Sequence, residues 1–168
     1  MIFGWISPDG IPEEYGNIAH TFCRMAMAYY YFGKLNHAIK LLTASQAFIE
    51  QFIEEEVEHD IRFQLTNTLS EILCASIFYQ NTHLDKVLPT LLLNRQLAEA
   101  HLNEKIDSQA VSNALEYLGL AYYYHQLNTR EGDSSTSLAY FQQALELRRG
   151  VSDIRGESES LFHIGLVY

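Results

Sequence analysis

Apolar residues recur along the chain at the three- and four-residue spacing of helix faces. Phe22, Met25, Ala26 and Tyr29 share one face of a helix, and Phe48, Ile49, Phe52, Ile53 and Val57 share another. Carried through the whole chain, the pattern predicts seven helices, over about 12–32, 35–57, 61–81, 84–103, 107–127, 134–149 and 153–168. Start signals support several of them. Ser7-Pro8-Asp9 or Pro12-Glu13-Glu14 opens the first, Asp107 or Ser108 the fifth and Ser152-Asp153 the seventh, while Gly33 and Gly150 suit helix ends. Pro89 fits the fourth helix if Asp85 caps it, which would place the proline in the first turn.

The helices come in related pairs. Ala114-Leu115-Glu116-Tyr117-Leu118-Gly119-Leu120-Ala121-Tyr122 matches Ser160-Leu161-Phe162-His163-Ile164-Gly165-Leu166-Val167-Tyr168, with the two glycines 46 residues apart. Between them, Ser137, Phe141 and Ala144 have the small, aromatic, small spacing that lets a second helix nest against the first. Phe22, Met25, Ala26, Tyr29 and Gly33, followed by Leu35, Ala38 and Leu42, form another copy. Cys74, Ala75 and Phe78, followed by Leu84, Val87 and Leu91, form a weaker one. The third copy carries a six-residue insertion within His125 to Ser135, where Asn128 to Ser135 has loop composition.

This pattern resembles the tetratricopeptide repeat family, and Ala144 to Arg149 followed by Asp153-Ile154-Arg155-Gly156-Glu157 resembles its longer-repeat variant. The resemblance implies an all-α fold, a right-handed superhelix or solenoid of antiparallel helix pairs. It would form a single domain, 1–168, with repeats at about 12–57, 61–103 and 107–149 and a partial repeat at 153–168. Tyr168 falls at the Tyr of the first-helix pattern, so the fourth repeat lacks its second helix. The expectation is either a fragment of a larger protein or a homodimer through the uncapped C-terminal helix.

Composition removes several alternatives. Three Pro and nine Gly are too few to punctuate a many-stranded β fold, and 48 % hydrophobic residues supply a core. A net charge of −10 argues against nucleic acid and anionic membranes as partners. Cys23 and Cys74 have no metal-site or disulfide spacing, and neither a signal peptide nor an apolar run of membrane-spanning length stands out. A cytoplasmic protein is expected.

The candidate chemistry is recognition rather than catalysis. The sequence has no GxSxG, GxGxxG, P-loop or HExxH motif, and its seven histidines are scattered, so no enzyme activity, cofactor or metal is expected. Glu50, Glu54, Glu55, Glu56, Glu58 and Asp60 read as a solvated acidic corner. By the resemblance, the inner helices line a concave groove for a peptide or partner protein, with His20, Met27, Tyr30, Tyr31, Tyr79, Asn113, Glu116, Tyr123 and Tyr124 on it. Leu69, Ile72, Ser76 and Gln80 fall on the same face. Tyrosine suits such a groove, having a large contact area and a polar tip. Some members of the family clamp acidic chaperone tails with basic residues on these helices. Here the positions hold Cys23, Met27, Ile72 and Glu116, so no such binding is expected. The alternative reading is a ligand- or peptide-sensing regulatory arm of a larger signalling or transcriptional regulator.

Overall fold

The helical spacing of apolar residues produces seven α-helices among the described residues: α1 (Glu13–Tyr31), α2 (Leu35–Phe52), α3 (Glu55–Gln80), α4 (Leu84–Ala100), α5 (Lys105–Thr129), α6 (Ser135–Gly150) and α7 (Ile154–Val167). The structure is a computed structural model that describes residues 13–52, 55–100, 105–131 and 134–168, with side chains for 17–50, 61–100, 108–131 and 134–168. The fold is all-α, and helices adjacent in sequence pack together: α1 on α2, α4 on α5, α5 on α6 and α6 on α7.

Two expected boundaries move. Among the described residues α2 runs to Phe52 and α3 runs from Glu55, ahead of the expected start at 61, so Val57 belongs to α3. An apolar stripe that keeps helical spacing across a helix end hides the break, because periodicity reports a face and not a terminus. In α4, Asp85 lies in the first turn and does not cap the helix, which opens at Leu84. Pro89 is therefore just past the first turn and exposed, where its missing N–H leaves one helical hydrogen bond unmade. The Ser7-Pro8-Asp9 start signal and the side chains of the acidic corner from Glu54 to Asp60 lie outside what the structure describes; Glu50 pairs with Arg62 at 3.6 Å.

The chain forms two compact units, Met1–Ile72 and Leu73–Tyr168, with the border inside α3. In the first unit Ala19 and Ala26 of α1 and Ala38 and Leu42 of α2 are fully buried, and the small alanines let the two helices approach closely. Gln46 Nε2 donates to Thr66 Oγ1 at 2.9 Å, and the Cys23 thiol points to the Gln64 carbonyl at 3.6 Å, tying α2 and α1 to α3. Burial pushes the Cys23 thiol above its ordinary range, which leaves it protonated and unreactive at neutral pH.

Burial likewise raises the Glu71 carboxyl. The folded chain therefore holds that proton more tightly than the unfolded chain. The stabilisation is fully present below the ordinary carboxylate value of 4.5 and is lost as the pH rises through the displaced one. Glu71→Gln is expected to flatten the decline in urea midpoint as the pH rises above 4.5. A midpoint profile that keeps the wild-type slope would rule out this source.

The second unit is built on Cys74 and Ile77 of α3, Val87 and Leu91 of α4, and Leu118 and Ala121 of α5, all buried. Each large aliphatic side chain buried in this way stabilises the fold by about 1.5–3 kcal/mol. The end of α3 runs parallel to α5, since the Cys74 thiol meets the Tyr117 carbonyl at 3.2 Å and the Phe78 ring meets Tyr124 at 5.0 Å. Helix α6 returns antiparallel to α5. Tyr140 stacks on Tyr122 near one end of the pair, and Arg148 reaches Asn113 at the other. Between these contacts Phe141 is buried against Gly119, where a Cβ would lie 2.5 Å from the ring.

Candidate functional site

Two features stand out on α5 and its neighbours: a buried cluster of charged and polar groups, and a row of exposed rings. The cluster begins with the turn between α6 and α7. Ser152 takes φ +60°, Asp153 N donates back to the Arg148 carbonyl at 2.9 Å, and the Asp153 carboxylate caps α7 by accepting from Gly156 N at 3.0 Å. This short connection brings Gly156 and Ser160, the two buried residues of α7, onto the end of α6. A Cβ on Gly156 would lie 2.7 Å from both Cδ and Nε of Arg148, so the guanidinium passes α7 only where the helix has no side chain.

Arg148 Nη1 donates to Glu116 Oε1 at 2.9 Å, to the Gly156 carbonyl at 2.6 Å and to Ser160 Oγ at 2.8 Å, and Nη2 donates to Asn113 Oδ1 at 3.0 Å. The Glu159 carboxylate lies 3.8 Å from Nη2. Glu116 Oε1 also accepts from the Ser160 hydroxyl at 2.5 Å, and Oε2 lies 2.5 Å from His163 Nδ1. The Glu116 and Arg148 side chains are only 5 % and 3 % exposed, so each charge depends on the other and on these hydrogen bonds for the solvation it has lost. Within the cluster, Arg148 Nε is left without a partner among the described residues. Ser160 and His163 both engage Glu116, and the serine is fully buried, so this is not the arrangement of a nucleophile activated by a base. The cluster holds α7 against α5 and α6.

Gly156→Ala is expected to cost about 1–3 kcal/mol, because its methyl group meets both the Asp153 carboxylate that caps α7 and a guanidinium already fixed at both terminal nitrogens. Chemical denaturation measures this, and a cost within about 0.3 kcal/mol of wild type would show that the guanidinium can retreat.

The second feature follows from the Tyr-rich runs. Tyr79 meets Phe78 edge-on at 5.0 Å, Phe78 meets Tyr124, and Tyr124 meets Tyr123 at 5.7 Å, giving four rings in continuous contact from α3 to α5. Tyr79 is 67 % exposed and Phe78 48 %. Tyr123 then opens onto a groove of about 450 Å³ that it shares with Gln126, Leu127, Arg130, Leu166 and Val167. Tyr123 against Leu166, with Glu116 against Ser160 and His163, makes α5 and α7 parallel, so the row crosses the carboxyl-terminal parts of three parallel helices. On α7 it continues into exposed Phe162 and Leu166.

The structure distributes the sequence-predicted groove residues unevenly. Tyr79, Tyr123 and Tyr124 come together in the row. Asn113 and Glu116 lie on the same side of α5 but are taken up by Arg148, and Leu69, Ile72 and Ser76 of α3 are buried. In the first unit His20 is exposed, Met27 and Tyr30 are half-buried, and Tyr31 is 76 % exposed with its ring 5.3 Å from Tyr30. An apolar groove of about 240 Å³ lies beside them, lined by Met25, Ala28, Tyr29 and Phe32.

Arg148, Ser160, His163 and Phe78 were not singled out as site residues from the sequence. The usable signal was the pair Gly156 and Ser160, small residues four apart on a helix otherwise rich in large apolar ones, which marks a close approach on that face.

Among the described residues no three His, Cys, Asp or Glu side chains converge as metal ligands, and no helix is long and apolar enough to cross a membrane. Comparison of the chain with protein-family models, with curated proteins and with solved structures finds no match.

Proposed function

We propose that the chain is a non-catalytic protein-interaction module built from tetratricopeptide-like hairpins, and that a partner's polypeptide segment lies across the ring row of the Leu73–Tyr168 unit. In this reading α3, α5 and α7 are the inner helices of successive hairpins and α4 and α6 the outer ones, stacked as a right-handed solenoid within that unit. The observation that carries the reading is the row itself, in which Tyr79, Phe78, Leu127, Phe162 and Leu166 remain exposed along α3, α5 and α7. Large apolar and aromatic side chains left in contact with water along one continuous line mark a docking surface, and tyrosine is a frequent anchor in such surfaces.

The test is to pan a display library of random peptides on the purified chain. Retained peptides are expected to lose about tenfold or more in affinity for Tyr79→Ala and Tyr123→Ala variants whose unfolding midpoints match wild type. Tyr30→Ala, in the other unit, serves as the control. Retained peptides that bind both row variants as tightly as wild type would place the site elsewhere.

A further inference from the structure

Resting on that reading, we infer that the segment crossing the ring row sets one Asp or Glu side chain against Arg130, with apolar side chains on either side of it against Leu127 and Leu166. Charge complementarity comes from the groove beside Tyr123. Among the described residues that line it, Arg130 is the single charged one, and Leu127, Leu166 and Val167 supply apolar wall. Arg130 is exposed and makes no ion pair among the described residues. Ser134 Oγ donates to Gln126 Oε1 at 3.1 Å, which takes up the amide oxygen and leaves the Gln126 amide N–H groups as further donors on the same groove. A guanidinium and an amide with no acid between them suit a carboxylate, which accepts from both.

The backbone at Arg130 points the same way. Positive φ occurs at Gly33 after α1 (+71°), Asn81 after α3 (+53°), Arg130 after α5 (+58°) and Ser152 after α6 (+60°). Three of these are small residues, and glycine and asparagine are the usual occupants of such a turn. Arg130 is held in it by its own N–H, which donates to the Gln126 carbonyl at 2.8 Å, and by the Glu131 N–H, which donates to Thr129 Oγ1 at 3.2 Å. An arginine kept where the backbone favours a smaller residue signals a use for its side chain, and the groove supplies one. The row continues on both sides of the groove, from Tyr123 to Phe162, so the segment passes across it and offers a side chain rather than its end. The net charge of −10 repels anions at long range, so the occupant carries one carboxylate among neutral and apolar residues, not an acidic run.

Peptides retained from the random library are sequenced first, and are expected to share one Asp or Glu set among apolar residues. The tightest is then resynthesised with a C-terminal amide and titrated against the full chain in three forms, with Glu, Gln or Lys at the shared position. The Glu form should bind about two- to fivefold more tightly than the Gln form, the range of an exposed ion pair, and the Lys form least tightly. Arg130→Asn should bind the Glu and Gln forms alike while its urea midpoint stays at or above wild type, and Arg130→Glu should prefer the Lys form. Retained peptides with no shared acid overturn the inference, as does equal binding of the Glu and Gln forms by the wild-type chain or a Glu preference that survives in Arg130→Asn. Loss of binding on amidation would assign the carboxylate to a chain end and overturn it too. In each of these cases the retained peptides leave the interaction reading standing, whereas a library that yields none takes down both.

Discussion

Arg148→Ala is expected to destabilise the Leu73–Tyr168 unit by about 3–5 kcal/mol, the cost of leaving a buried charge without its counter-ion. The reason is the position of Glu116. Its carboxylate is nearly inaccessible, and once the guanidinium is gone it keeps only the Ser160 hydroxyl and the His163 ring. Asn113 Oδ1 and the Gly156 carbonyl lose their donor as well. Helix α7 should loosen first, because its buried residues are only Gly156 and Ser160, both held by Arg148. Hydrogen exchange along α7 reads this directly, and urea denaturation gives the total. The double variant Arg148→Met with Glu116→Leu is expected to fall between Arg148→Ala and wild type, since it removes the unpaired carboxylate but leaves Asn113, the Gly156 carbonyl and the buried Ser160 hydroxyl without these partners. A single variant that loses less than about 1 kcal/mol would mean that Glu116 regains water without the arginine.

Phe141→Ala should cost a similar amount, about 3–5 kcal/mol, for a different reason. The Phe141 ring is 1 % exposed, fills the space that Gly119 leaves open on α5, and stacks on the His163 ring at 5.2 Å. Its removal leaves a cavity bounded by three helices, none of which can close it without moving the others. Gly119→Ala presses on the same contact from the opposite side, and the two changes should be non-additive. A methyl group at 119 overpacks against the ring but partly fills the space left when the ring is absent. A double-mutant cycle with a coupling near zero would contradict this account of how α5 and α6 meet.

How far the sequence could be read depended on the range of each interaction. The helices were legible because an apolar stripe and its caps are local, and five of the seven helices keep both their expected ends within about three residues. The α2–α3 boundary was not, because Phe48 to Val57 keeps one spacing through it. Half of the ring row was legible, since Tyr79, Tyr123 and Tyr124 sit at the expected inner positions, but the same rule placed Ile72, Ser76 and Glu116 on an open surface when all three are buried. Glu116 is the instructive case. Its partner is 32 residues away at the end of another helix, where Arg148 and Arg149 look alike in sequence. Arg149 instead makes an exposed pair with Glu157. Nothing local separates an arginine bound for the interior from one bound for solvent; only the small residues facing it on α7 do.

Aromatic-ring NMR of the chain during titration with a library-selected peptide tests the central claim most directly. The account predicts that the ring resonances of Phe78, Tyr79, Tyr123 and Phe162 shift together and saturate at one affinity, while those of Phe141, buried between α5 and α6, move little. Saturation with shifts confined to rings outside this row, such as Tyr31 and Phe32, would contradict it.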